Sequence, residues 1–350
     1  MRGHQNFSEE EPMKALALTD GYGIDALRPI ERDDPTPAPD EVIVRTRAAS
    51  LNYRDLEIVC GTFFTRFPLP LIPLSDGVGE VVAVGERVTR VRPGDRVAGT
   101  FWQRWDAGDF RNADTRRMLG GPIDGWLADT MRLDAGGAVI VPAHLSDAEA
   151  ATLPCAGVTA WHCLIEAGNL QPGETVLVQG TGGVSMFAVQ FARMAGARPI
   201  VLSSSDAKLE RVRALGVPES DTINYRSTPD WHEAVLARTE GRGVDHVIEV
   251  GGGGTLQRSL KALRMGGQIH LVGYLAGREG GVTPLEIFAR KAVIRPASVG
   301  PRASFEAMNR ALALHGLHPI VDQVLPWQDA PEAFGALQAG KVFGKIALTF

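Results

Sequence analysis

The sequence predicts an α/β protein in which a doubly wound parallel sheet is joined to a mostly β domain. Three observations carry this. Between residues 157 and 297 strands alternate with helices, the strands falling at 175–179, 198–203, 221–225, 244–250, 268–274 and 291–295. That alternation is the signature of a parallel sheet covered on both faces. Residues 13–150 have another texture, with short apolar strands at 14–18, 41–49, 79–84 and 95–99, punctuated by Pro35, Pro37, Pro39, Pro93 and Gly94, as expected of a mostly β unit. Finally, 350 residues with 44% apolar content and 40 glycines suffice for two cores joined by many tight turns.

Within the alternating region, 174–216 is the most informative unit. Residues 175–179 form an apolar, β-branched strand; Gly180, Gly182 and Gly183 make a tight turn; Val184 opens an amphipathic helix; and 198–203 is a second buried strand. This is the order of a dinucleotide-binding βαβ unit. Glycine lets a diphosphate approach the backbone, and the N–H groups of the helix start face the anion. Ser185 stands where the third glycine of G-x-G-x-x-G is expected, and a plain packing turn would share the pattern.

The end of the second strand bears on the choice of cofactor. An NAD site has Asp or Glu there to accept from the ribose 2′-hydroxyl. Here Ser203, Ser204 and Ser205 are followed by Asp206, Lys208 and Arg211. Ser203, Ser204 and Lys208 could hold a 2′-phosphate by charge-assisted bonds, which favours NADP and leaves NAD as the alternative. A Ser-rich turn with Asp206 capping the next helix explains the same residues. At the sheet's carboxyl edge, where ligands of open α/β sheets bind, stand Val250, Gly251, Gly273 and Tyr274.

Ser146 to Ala151 begins a helix, with Asp147 and Glu149 in its first turn, and residues 101–125 read as an irregular surface loop. The chain closes with a helix at 303–315, a strand at 319–325, a helix at 329–339 and a strand at 343–349. This stretch is too short for its own domain and is expected to return to the first. The expected organisation is a disordered tail at 1–12, a catalytic domain from 13–156 plus 298–350, and a cofactor domain at 157–297. A net charge of -5 and a pI near 5.9 argue against nucleic acid as partner. No run reaches the roughly 18 apolar residues of a membrane span, and the polar N-terminus lacks the apolar stretch of a signal peptide. Cys60, Cys155 and Cys163 form no C-x-x-C pair and no disulfide framework. Together these facts point to a reducing compartment, the cytoplasm.

The motifs run in a recognisable order. SLNYRDLEIVCG (50–61), PLSDGVGEVVAVGERVTRVRPGDRV (73–97), LPCAGVTAWHCL (153–164), VLVQGTGGVSMFAVQFARMAGA (176–197), GVDHVIEVGGGGTLQRSLKALRMGGQIHLVG (243–273) and FGKIAL (343–348) resemble the medium-chain dehydrogenase/reductase superfamily over about 13–350. The wording is most similar to its zinc-independent, quinone-oxidoreductase-like branch, called alcohol dehydrogenase-like. The resemblance implies a Rossmann doubly wound sheet inserted in a mostly β GroES-like catalytic domain. It further implies cofactor contacts at Thr159, Tyr225, Phe343 and Lys345, and a homodimer formed through the last cofactor-domain strand, at 291–298, which Pro296 interrupts.

The departures from that pattern concern metal. Where zinc-dependent members carry their ligands, this chain has Asn52, Ser75 with Asp76, and Cys155. One thiolate among amide and hydroxyl groups does not hold zinc, and 101–125 has none of the cysteines of a structural zinc lobe, so no metal is expected. Asn52 and Tyr53 fall where the superfamily lines the interdomain cleft. Asn52 could bond the substrate carbonyl or simply cap a helix starting at Tyr53; Tyr53 could donate a proton or contact the nicotinamide ribose. Phe63 stands where enoyl-thioester reductases of the superfamily carry a catalytic tyrosine, which weighs against that activity. The expected function is NADPH-dependent hydride transfer to a quinone or α,β-unsaturated carbonyl. The alternatives are a zinc-free alcohol or aldehyde dehydrogenase and a non-catalytic NADP-binding protein.

Overall fold

The computed structural model describes residues 12–112 and 114–350; the expected tail at 1–12 lies, but for Pro12, outside them. The first part of the chain holds β1 (Met13–Leu18), β2 (Leu27–Arg32), β3 (Glu41–Ser50), α1 (Tyr53–Val59), β4 (Asp76–Val84), β5 (Arg96–Gly99), β6 (Thr130–Asp134), β7 (Ala138–Ile140) and α2 (Asp147–Ala150). β1 and β2 form an antiparallel pair. β3 is long enough to serve two neighbours on one edge. Its first half, Glu41 to Arg45, pairs with β6, and its last residues, Ala48 to Ser50, pair with the C-terminal strand.

An irregular, widened helical segment, including α3 (Val158–Trp161), leads into the second sheet. There follow β8 (Thr175–Gln179), α4 (Gly183–Met194), β9 (Arg198–Ser203), α5 (Asp206–Ala214), β10 (Thr222–Asn224), α6 (Trp231–Arg238), β11 (Val244–Glu249), α7 (Leu256–Ala262), β12 (Leu263–Leu271), α8 (Pro284–Arg290) and β13 (Val293–Pro296). The six strands lie in the order β10-β9-β8-β11-β12-β13, all parallel. α9 (Arg302–His315), β14 (Val321–Pro326), α10 (Ala330–Gln338) and β15 (Lys345–Thr349) complete the chain, and β14 and β15 join the first sheet in the order β14-β15-β3-β4-β5-β7. The mixed α/β architecture is the expected one. Its apolar core runs from Ala48, Val78 and Ala98 through Leu153 and Val158 to Phe187 and Phe191 on α4, so the two sheets share packing.

Several local expectations need correction. β2, β6 and β7 are additions to the expected strands: β2 contains Pro29, and β6 and β7 are short and separated by the Ala135–Gly137 turn, so each carries little period-2 signal. β12 starts at Leu263, not 268, running through Gly266 and Gly267. The edge strand covers Val293–Pro296 rather than 291–298. Residues 101–125 are irregular apart from a short helical turn at Asp114–Arg117, yet they are no mere surface loop: Phe101, Trp105, Met118 and Leu119 are buried. Ser205, not Asp206, caps α5, its hydroxyl accepting from Lys208 N–H at 3.4 Å.

β11 and β12 place two histidines face to face. His246 and His270 stack at 5.6 Å, His270 Nε2 lies 3.3 Å from His246 Nδ1, and His246 Nε2 lies 3.1 Å from Glu174 Oε2. The acceptor carboxylate assigns the Nε2 proton to His246, leaving its Nδ1 to accept from His270. Burial lowers both histidines, His270 to about 3, with His246, Arg295 and His162 adding to the depression. A depressed histidine stabilises the folded state above the unfolded pKa, about 6.5, and that stability is lost as pH falls toward 3. Going from pH 7 to pH 5 therefore removes about 2 kcal/mol through His270. In His270→Gln the stability loss over that interval, read from urea midpoints at the two pH values, should shrink by that amount; an unchanged slope contradicts it.

Candidate active site

The glycine turn after β8 sits against the C-terminal return. Gly180 adopts φ +74°, a left-handed conformation that favours glycine. Gly182 is exposed, and a Cβ there would meet nothing within 4 Å, so its backbone is open to an approaching ligand. Gly183 is required for another reason: an added Cβ would lie 2.6 Å from Lys345 Cδ. Gly344 bridges to Gly182, and its N–H donates to Thr181 O at 2.8 Å. Phe343 is buried beside this bridge, under the Arg211 guanidinium at 4.0 Å. Val184 is half-buried in the first turn of α4, and Ser185 donates to Gln179 O at 2.7 Å, which ties the turn back to its strand. The N-terminus of this 12-residue helix offers free backbone N–H groups to a diphosphate.

At the end of β9, Ser203 is buried, its Oγ accepting from Ser205 N–H at 3.2 Å, while Ser204 is half-buried. Tyr225 is 41% exposed and donates through its backbone N–H to Ser203 O at 3.0 Å. These three form one group. Lys208 is turned away from it: Nζ donates to Gly340 O at 2.8 Å and Val342 O at 2.9 Å.

The carboxyl edge of β11 and β12 is shaped by a polar cluster that no sequence signal marked. Glu249 is fully buried. Its Oε1 accepts from Gly251 N–H (2.9 Å), Gly252 N–H (3.0 Å) and the Thr255 hydroxyl, and its Oε2 from Gln179 Nε2 (2.7 Å) and Ser259 Oγ. Gln179 Oε1 accepts from the N–H groups of Val250 and Gly251, both at 3.2 Å. Gly273 packs on Val250, where a Cβ would lie 3.1 Å from Val250 O. Tyr274 crosses to the other domain: its hydroxyl donates to Glu57 Oε2 at 2.7 Å, and Arg278 donates to Glu57 Oε1 at 2.8 Å. Burial and Glu57 push the Tyr274 phenol up to about 12.

Asn52 caps α1, and Asp55 Oδ2 accepts from its backbone N–H at 2.8 Å. The Asn52 side chain does something else. Its Oδ1 accepts from Lys345 Nζ at 2.6 Å and its Nδ2 donates to Ser75 Oγ at 3.2 Å. Ser75 Oγ in turn donates to Asp76 Oδ1 at 3.3 Å, while Asp76 Oδ2 accepts from Cys155 N–H at 3.2 Å and stands 3.8 Å from Lys345 Nζ. Leu51 O accepts from the same ammonium at 2.6 Å. Ser75 and Asp76 are fully buried and Lys345 is 3% exposed. Burial pushes Asp76 up to about 6 against the pull of Lys345, and raises the Cys155 thiol far above its ordinary range. Thr159, also buried, donates to Cys155 O at 2.7 Å. Tyr53, by contrast, is 45% exposed at the start of α1. Among the described residues no group of three or more His, Cys, Asp or Glu side chains is placed to hold a metal ion.

The structure thus brings Asn52, Thr159, Lys345, Phe343 and the glycine turn into one contiguous region, with Val250 beside Gly180. Ser75 and Asp76 complete it, named by the sequence only as poor metal ligands, while Glu57 and Glu249 fix Tyr274 and the 250–252 backbone at the sheet edge. Lys208 faces elsewhere.

Known proteins now bear on this geometry. The family described as "Alcohol dehydrogenase GroES-like domain" matches residues 38–143, and "Zinc-binding dehydrogenase" matches 183–313. A zinc-type alcohol dehydrogenase-like protein of Schizosaccharomyces pombe is 42% identical over 335 residues, covering 93% of this chain and 96% of its own. The chain belongs to the medium-chain dehydrogenase/reductase superfamily, in its zinc-type alcohol dehydrogenase-like branch. Two solved structures are similar to the chain over nearly its whole length. An NAD-dependent alcohol dehydrogenase superposes with TM-score 0.87 at 32% identity, covering 96% of this chain and 99% of that one. The 2-octenoyl-CoA carboxylase reductase CinF, in complex with NADP and 2-octenoyl-CoA, superposes with TM-score 0.86 at 25% identity, covering 98% and 88%. As a medium-chain dehydrogenase/reductase, the protein is an oxidoreductase that uses a nicotinamide cofactor. No helix among the described residues is long and apolar enough to cross a membrane.

Proposed function

We propose that this oxidoreductase reduces quinones or α,β-unsaturated carbonyls with NADPH and without zinc. The observation that carries the reading is Lys345. Its ammonium is bonded to Asn52 and faces Asp76 in the place where zinc-dependent members hold their metal ligands. A dication there would meet a buried ammonium, an amide, a hydroxyl, one thiol and one carboxylate, Asp76, that already faces the ammonium, which is not a three-ligand zinc donor set. The site therefore polarises a carbonyl by hydrogen bonding, which suits activated acceptors. The nicotinamide cofactor supplies the hydride when bound. The glycine turn and α4 N-terminus would hold its diphosphate, and Asn52 would donate to the substrate oxygen as negative charge develops there. A solvent proton completes the product. Oxidation of NADPH with a panel of small quinones and enones tests this. Turnover of these acceptors is expected. Turnover of simple alcohols alone would favour a zinc-free alcohol dehydrogenase, and tight NADPH binding without turnover a non-catalytic role.

The preference for NADP rests on Ser203 and Ser204 at the end of β9 and Tyr225 just after β10, with no carboxylate at the β9 end itself and the nearby Asp206 accepting from Asn224 at 2.8 Å. NADPH should bind more tightly than NADH. Because Ser203 is buried, Ser204 is the better probe. Ser204→Asp should weaken NADPH about tenfold, or about 1.4 kcal/mol, with NADH little changed; equal losses for both would refute the assignment. Three free cysteines accord with a reducing cytoplasm. The edge strand β13 has an open ladder from Val293 to Arg295, with Pro296 only at its end. Beside it Leu285 and Phe288 are 71% and 79% exposed. These features support a homodimer formed through β13. Light scattering at micromolar concentration should give twice the chain mass, and a monomer there would exclude this mode.

A further inference from the structure

Lys345 and Asn52 approach one another from opposite ends of the sequence, and both are drawn into a small closed set of polar groups. Lys345 comes from the first position of β15, with its stem packed over Gly183, and Asn52 from the N-cap of α1. An ammonium only donates, so the amide atom facing it must be oxygen. That fixes the orientation of the Asn52 amide, which its own geometry leaves open. The Ser75 hydroxyl gives its proton to Asp76 and so can only accept from Asn52. Every donor in the series Lys345, Asn52, Ser75, Asp76 therefore points the same way, and the series closes where Lys345 Nζ stands 3.8 Å from Asp76 Oδ2. Buried chains of this kind polarise their members mutually. A cation on the amide oxygen draws electron density from the nitrogen and strengthens its N–H groups as donors.

We propose that Lys345 is a positioning residue for the reaction: by holding the Asn52 side-chain oxygen, it directs the amide N–H of Asn52 to the substrate's carbonyl oxygen and strengthens it as a donor. The bond to Ser75 uses one of the two hydrogens on Asn52 Nδ2, and the second serves the substrate. The inference rests on the reductase reading above, and it assigns Lys345 a task distinct from binding the cofactor. It also explains why a long cationic side chain is buried with one carbonyl, one amide oxygen and one carboxylate around it. The carboxylate offsets the charge, and the amide transmits it.

The experiment compares wild type, Lys345→Met, Lys345→Arg, Ser75→Ala, Asn52→Ala and the Lys345→Met/Asn52→Ala double variant. The readouts are kcat, KM, the dissociation constant of NADPH, and the Asn52 side-chain amide resonances of protein labelled with ¹⁵N asparagine, assigned by their loss in Asn52→Ala. Lys345→Met should lower kcat at least tenfold with NADPH affinity within twofold of wild type, and Lys345→Arg should recover part of it. The double variant should be no slower than Asn52→Ala alone, because the lysine acts through the asparagine. The Asn52 amide pair should shift in both Lys345→Met and Ser75→Ala. A tenfold loss of NADPH affinity with unchanged kcat would overturn the proposal, as would losses that add in the double variant. Should wild type reduce no quinone or enone, the reductase reading fails on its own. The amide resonances then decide the positioning: an Asn52 pair unmoved by loss of Lys345 overturns it, and a shifted pair supports it.

Discussion

Replacing Asn52 by alanine should lower kcat for quinone or enone reduction about 100-fold, the usual effect of removing one preorganised donor to a developing oxyanion. The loss belongs in kcat more than in KM, because the bond strengthens as charge moves onto the oxygen. It should not come from unfolding. Asn52 is the N-cap of α1 in a capping box with Asp55, so the alanine change costs about 1 kcal/mol of stability, while Asp55 still accepts from the backbone N–H of residue 52, at 2.8 Å in the wild type. Asn52→Asp separates the two halves of the amide. A carboxylate retains the acceptor for Lys345 but offers no N–H, and it adds an anion beside Asp55 and Asp76. It should be at least as slow as Asn52→Ala. Steady-state kinetics of both variants check this, and an aspartate variant near wild-type speed would show that the N–H is not what the substrate uses.

Glu249→Ala should have the largest effect on stability, about 4 kcal/mol. The carboxylate lies at the end of β11 with no exposure, and removing it takes an acceptor from the N–H groups of Gly251 and Gly252, the hydroxyls of Thr255 and Ser259, and Gln179 Nε2. Gly252 N–H and the Ser259 hydroxyl are buried donors that lose their acceptor outright, while Gly251 N–H keeps Gln179 Oε1 at 3.2 Å, Gln179 Nε2 keeps Ser259 Oγ at 2.8 Å and the Thr255 hydroxyl keeps Gly252 O at 3.4 Å. Glu249→Gln keeps an acceptor oxygen and should cost less than the alanine change. Because Gln179 sits at the end of β8 just before the glycine turn, the surviving folded fraction of Glu249→Ala should also bind NADPH more weakly. Urea unfolding of the three proteins measures the first effect and fluorescence titration the second. A change under about 1 kcal/mol in Glu249→Ala would mean that water replaces the carboxylate easily.

The parallel sheet and the glycine turn were legible because their signals are local. β-branched runs, Gly180, and the amphipathic spacing of α4 each lie within a dozen residues. The FGK segment was legible only as a resemblance, and its place became clear when Gly344 was found bridging to Gly182. What stayed hidden is non-local. Asp76 reads only as a poor metal ligand and Lys345 only as a cofactor contact implied by the resemblance, until burial brings the two together. Glu249 reads as one residue near the end of a buried strand, with nothing to foretell that Gln179, Ser259 and the 251–252 backbone converge on it. Tyr274 reads as a ligand contact at the sheet edge, yet its hydroxyl is bonded across the domains to Glu57. Lys208 reads as a phosphate ligand, yet its ammonium is bonded to the backbone at Gly340 and Val342. In each case side-chain chemistry was visible and the partner was not.

The account turns on a carbonyl being activated by Asn52 and Lys345 in place of a metal. The most direct measurement is the rate of NADPH-dependent quinone or enone reduction before and after exhaustive chelation, with zinc per chain determined on the same samples. Undiminished activity at far less than one zinc per chain is the predicted result. One tightly held zinc per chain, with activity lost on its removal and restored on its return, would contradict the account.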